Sequence, residues 1–64
     1  MDKISKRIRI EREKRGLSQQ QLADKAGISR GYLARLETAR QDTTVRTVEK
    51  IARALRIKMA SLFK

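Results

Sequence analysis

Leu17-Ser18-Gln19-Gln20-Gln21-Leu22-Ala23-Asp24-Lys25-Ala26-Gly27-Ile28-Ser29-Arg30-Gly31-Tyr32-Leu33-Ala34-Arg35-Leu36-Glu37 carries two helix starts and, between them, one helix stop. Ser18 followed by Gln21 is a capping box, in which the hydroxyl accepts from the third amide of the helix and the Gln side chain bonds back to the cap. This predicts a helix from Gln19 to Ala26. Gly27 supplies positive φ without a Cβ clash and ends it. Ser29 then caps another helix from Arg30 to Glu37 or a little beyond. A connection this short forces two helices to cross sharply rather than run as an antiparallel hairpin, which is the geometry of a helix-turn-helix. Leu22, Ala26, Ile28, Leu33 and Leu36 point into the wedge between them, Ala23 is small at the close approach, and Leu17 stands ready to staple onto the first of the pair.

Outward from that stretch, Lys3 to Arg15 reads as a helix with Asp2 as N-cap, basic residues in its last turn and Gly16 as its stop. Ile4 and Ile8 lie one turn apart on its inward face, continued by the stem of Arg12. Thr38 to Thr43 is polar and reads as a loop. Thr44 caps a further helix in which Val45, Val48, Ile51, Ala52 and Leu55 recur at helical spacing. Met59, Leu62 and Phe63, within Ile57 to Lys64, predict one more short helical turn covering the core. The expectation is an all-α chain: a compact bundle of four to five short helices containing a helix-turn-helix, with residues 1–64 as a single domain.

Charge narrows the function. The 64 residues hold 17 Lys and Arg against 7 Asp and Glu, a net charge of +10, with no His and no Cys. Such a balance points to a polyanion, with nucleic acid first, an anionic membrane surface second and a merely solvated basic surface third. Without Cys or His the usual zinc ligands and the commonest general base are missing. The carboxylates Asp2, Glu11, Glu13, Asp24, Glu37, Asp42 and Glu49 are scattered, and no nucleophile has a base at a motif spacing. Neither an enzyme nor a metal or other cofactor is expected. No apolar run reaches the roughly 18 residues of a membrane span, and Met1-Asp2-Lys3-Ile4-Ser5 lacks the apolar stretch of a signal peptide. A cytoplasmic location is expected, with no membrane and no small-molecule substrate.

The segment Leu17 to Ser29 resembles the helix-turn-helix entry of the lambda-repressor-like regulators, the Cro/cI or XRE type. Tyr32-Leu33-Ala34-Arg35-Leu36-Glu37 is similar to that family's recognition-helix segment, and Ile51-Ala52-Arg53-Ala54-Leu55-Arg56-Ile57 with Leu62-Phe63 to its closing helices. The resemblance implies five short helices, transcription control in bacteria or phage, and operator binding by a homodimer, at least on DNA. It places the base-reading positions on Arg30, Gly31, Ala34 and Arg35. Either Arg can donate two parallel hydrogen bonds to O6 and N7 of guanine, or bind a phosphate without choosing a sequence. Gly31 has no side chain to read with, and Ala34 at most touches a thymine methyl. Phosphate contacts fall on Ser18, Gln19, Tyr32, Thr38 and Arg40; Thr38, Arg46 and Lys50 either track the backbone or are simply solvated. Tyr32 either bonds a phosphate or packs at the core edge. Arg12 and Glu37 match a pair that orients the recognition helix, the alternative being two exposed charges. Ala23 and Gly27 are the structural positions of the bend.

Departures from that pattern are Ala39 for the usual glycine, Thr43 for the usual proline, Glu11 at a spot often apolar, and Lys58 for the common cap before the last turn. They imply a loop after the recognition helix that is less rigid or more helical. Ile10 points away from the inward face, as an isolated exposed residue or as part of a contact surface. The competing function is a protein-interaction module on the same fold, such as an antitoxin or adaptor, which predicts a large exposed apolar patch. A cationic membrane-surface peptide is a third reading, opposed by the glycine stops.

Overall fold

The computed structural model describes residues 2–63, with side chains from residue 4 onward. Four α-helices, α1 (Asp2–Lys14), α2 (Gln19–Ala26), α3 (Arg30–Glu37) and α4 (Val45–Leu55), precede a 3₁₀ turn, Met59–Phe63, and no strand occurs among the described residues. The side chain of Asp2, expected as a cap, lies outside those described. Helix α1 stops one residue earlier than the sequence predicts. Arg15 and Gly16 instead form the turn, with Gly16 at φ 66° and Leu17 N–H donating to Arg12 O at 3.2 Å.

The caps form as the sequence predicts. Ser18 Oγ accepts from Gln21 N at 3.0 Å, while Ser18 N–H donates to Gln21 Oε1 at 2.8 Å. Ser29 Oγ accepts from Tyr32 N and Thr44 Oγ1 from Thr47 N. Gly27 takes φ 73°, and its N–H together with that of Ile28 satisfies the last carbonyls of α2. Each cap contributes on the order of 1 kcal/mol, which matters where helices of eight residues are too short to persist alone.

Ile8, Leu22, Leu33, Leu36, Val48, Ile51, Leu55 and Leu62 fill the core, with Ala23, Ala26 and Ala52 at the close approaches and Leu17, Ile28 and Tyr32 packed at its margin. Helix α2 packs on α4 and α3, and α1 packs across α3, α4 and the 3₁₀ turn. The face of α3 opposite its leucines carries the exposed Arg35.

Two apolar residues depart from the reading. Val45 is 67% exposed: it stands in the first turn of α4, at the edge of the stripe set by Val48, Ile51, Ala52 and Leu55. Phe63 is 50% exposed. In a 3₁₀ turn residues three apart eclipse, so Leu62 buries together with partly buried Met59 while Phe63 turns outward. Lys58 does not prevent this turn, since its carbonyl accepts from Ser61 N at 2.9 Å. Nor is the loop after α3 more helical. The helix ends at Glu37, and Ala39 adopts φ 60° in the place of a glycine.

Candidate nucleic-acid interface

Helix α3 buries Leu33, Leu36 and Glu37 and exposes Arg30 and Arg35, with Gly31 and Ala34 half-buried. At about 100° per residue, Arg35 stands roughly opposite the buried side. Arg30 is the first residue after the Ser29 cap, so its side chain leaves from the helix's leading edge. The guanidinium of Arg35 lies beside Gly31, where an added Cβ would sit 3.6 Å from Nη1.

The trailing end of α3 is fixed by charge. Arg12 donates from Nε to Glu37 Oε2 at 2.7 Å and from Nη2 to Glu37 Oε1 at 3.0 Å, and its Nη1 donates to Leu17 O at 2.8 Å. Gln19 Nε2 donates to the same Oε1 at 3.0 Å. The expected Arg12–Glu37 pair is therefore a buried bidentate contact, with side-chain exposures of 12% and 2%. The bond to Glu37 raises the Arg12 pKa, outweighing the burial that lowers it. Such a pair gains geometry more than free energy, but removing one partner leaves an uncompensated buried charge. Glu37 thereby holds the start of α2 beside the end of α3.

The residues expected to face phosphate lie at the start of α2 (Ser18, Gln19), within α3 (Tyr32) and just after it (Thr38, Arg40). Ser18 is exposed, with its hydroxyl engaged as cap, and Gln19 reaches Glu37. The Thr38 hydroxyl bonds back to Ala34 O and Arg35 O, each at 3.2 Å. Arg40 is exposed, and its backbone N–H donates to Arg35 O at 2.8 Å. The ring of Tyr32 packs at the core margin, while its hydroxyl lies 3.5 Å from Asp42 O, a long contact.

Two features escaped the sequence. Glu11, 5% exposed, accepts from Arg15 Nη1 and lies 3.2 Å from Arg7 Nε and 3.8 Å from Lys14 Nζ, while Arg15 Nε donates to Leu55 O at 3.0 Å. The Arg15 hydrogen bond, followed by the charges of Lys14, Arg15 and Arg7, holds the Glu11 carboxyl below its ordinary value against the upward push of burial. Arg7, Glu11 and Arg15 recur every four residues, a spacing that reads equally well as a solvated ladder. The second is Gln41, whose Oε1 accepts from Arg35 Nε at 3.2 Å; no local pattern marks it.

The helix-turn-helix family model HTH_3 matches residues 8–62. The immunity repressor protein of Bacillus phage phi105 is 41% identical over 59 residues, covering 92% of this chain, which spans 41% of that protein's length. The crystal structure of the restriction-modification controller protein C.AhdI from Aeromonas hydrophila superposes with a TM-score of 0.94 at 34% identity, over 97% of this chain and 94% of that one. SinR, a master regulator for biofilm formation known from Bacillus subtilis, was crystallised in complex with DNA. That structure matches with a TM-score of 0.89 at 31% identity, over 95% of this chain and 98% of the crystallised chain.

Proposed function

The chain belongs to the helix-turn-helix family, and from that premise we propose that it regulates transcription by binding double-stranded DNA sequence-specifically, laying α3 in the major groove. Repression is the output favoured by its likeness to a phage immunity repressor. The observation that carries the reading is the pairing of an exposed arginine face on α3 with a buried anchor at the helix's C-terminal residue. Arg30 and Arg35 read guanine edges, while Gly31 and Ala34 let the helix approach closely. Ser18, Gln19, Tyr32, Thr38 and Arg40 follow the phosphates on either side, aided by the N–H groups at the start of α2. The excess of positive charge supplies attraction common to all sequences. One copy contacts too short a site for a regulator's selectivity, so two copies bind a two-fold site as a homodimer, at least on DNA.

A protein-interaction module is not favoured. The exposed large apolar residues among those described, Ile10, Val45 and Phe63, sit on three different elements, and scattered singly such residues are ordinary.

Selection from a randomised duplex pool at one stated salt concentration tests the function. A shared two-fold motif is expected; enrichment without any common sequence reduces the protein to a non-specific DNA binder. Within that motif, Arg35→Ala flattens the preference at one base pair by about 5- to 150-fold. Gln19→Ala weakens all duplexes alike.

A further inference from the structure

Side chains on a helix lean toward its N-terminus, and Arg35 follows that lean back along Gly31, one turn earlier. Gln41, in the loop after α3, meets the same group through its side-chain oxygen, which accepts from Arg35 Nε at 3.2 Å. The Gln41 amide is turned by its other end: Nε2 donates to Asp42 O at 3.4 Å, which leaves the oxygen for the arginine. Gln41 is itself half-buried, lining a groove with Ile4, Ile8 and Leu36, so its stem is held as well.

An arginine on an open helix face loses rotamer freedom when it docks on a base, and holding it beforehand removes part of that cost. It also restricts how the group docks. Guanidinium meets guanine either end-on, through its two Nη groups, or side-on, through Nε and one Nη. The Nε hydrogen of Arg35 is taken by Gln41, whereas neither Nη has a protein partner among the described residues. We propose that Gln41 is a positioning residue for sequence recognition, holding the Arg35 guanidinium over Gly31 so that both Nη groups remain for end-on pairing with guanine. The inference rests on the DNA-reading function proposed above. It also gives Gly31 a use without base contact, since the bare backbone there leaves room for the Arg35 guanidinium, which an added Cβ would already touch at 3.6 Å.

Duplex selections at one fixed salt concentration compare the chain with Arg35→Ala, Gln41→Ala and Gln41→Glu. Arg35→Ala marks the base pair concerned. Gln41→Ala weakens the preference at that same pair by about three- to tenfold, with other positions and the salt dependence unchanged. Gln41→Glu keeps an acceptor at the same reach, so it retains the preference while its added negative charge lowers affinity for every duplex alike. In the free protein, without DNA, the Arg35 Nε–H resonance shifts in Gln41→Ala. If the chain selects a sequence and Arg35→Ala loses one pair that Gln41→Ala keeps at full strength, the role of Gln41 is overturned and the DNA-reading function stands. Loss of the preference in Gln41→Glu as complete as in Gln41→Ala also overturns it. If the chain selects no shared sequence, the function and this inference fall together, whatever the resonance does.

Discussion

Among the described residues two carboxylates are buried, Glu37 at the meeting of α1, α2 and α3 and Glu11 on α1, and arginines meet both. The partners of Glu37 come from 18 and 25 residues away. Those of Glu11 lie three or four residues away, and one of them, Arg15, in the turn after α1, also donates to Leu55 O. Their shielding differs too: Arg12 is 12% exposed, whereas Arg7 and Arg15 are 37% and 33% exposed. The same chemistry therefore does two tasks. At Glu37 it sets the direction of the helix proposed to read DNA; at Glu11 it braces the far end of α4.

The largest effect should come from breaking the first centre. Arg12→Ala strands the Glu37 carboxylate and is expected to cost about 3–5 kcal/mol, a large part of the stability of so small a domain. Urea denaturation measures it, and a loss under about 1 kcal/mol would reduce the centre to an ordinary surface pair.

Glu11→Gln should cost less, about 2 kcal/mol, and leave DNA affinity unchanged once the folded fraction is accounted for. A lowered carboxyl pKa gives stability that is complete above the ordinary value of 4.5 and disappears as pH falls through the lowered one. The gap in urea midpoint between the parent chain and Glu11→Gln should therefore close as the solution is acidified below that value. A gap that widens on acidification contradicts the assignment.

The smallest effect concerns the exits from the two centres, where Ala39 and Arg56 both adopt φ 60°. Ala39→Gly and Arg56→Gly should each raise stability by about 1 kcal/mol by removing a left-handed Cβ, read as a higher thermal midpoint. Comparable gains would localise the contrast in the carboxylates; a much larger gain at one exit would make loop strain part of it.

This contrast also marks what the sequence can express. Ser18, Ser29, Thr44 and Gly27 act on amides within a few residues, and that locality made the helix boundaries and the bend readable. The Arg12–Glu37 pair was readable only through resemblance, because nothing local to either residue names the other. Glu11 and Arg15 carried a helical spacing, but spacing is silent about which side of α1 α4 covers. Val45 fits the apolar stripe of α4 by spacing, yet it stands at the edge of that stripe and stays exposed. Gln41 depends on a loop course set by Ala39, so its bond to Arg35 exists only in three dimensions.

The blank positions of α3 also limit its vocabulary. Gly31 and Ala34 offer no polar atom, and Arg30 and Arg35 can donate but never accept. Under the proposed function, each copy recognises what a base pair holds out as lone pairs and is indifferent to the amino hydrogens of adenine and cytosine. New target words would have to be written by placing an acceptor at position 31 or 34, and at 31 the newcomer would lie against the arginine already there.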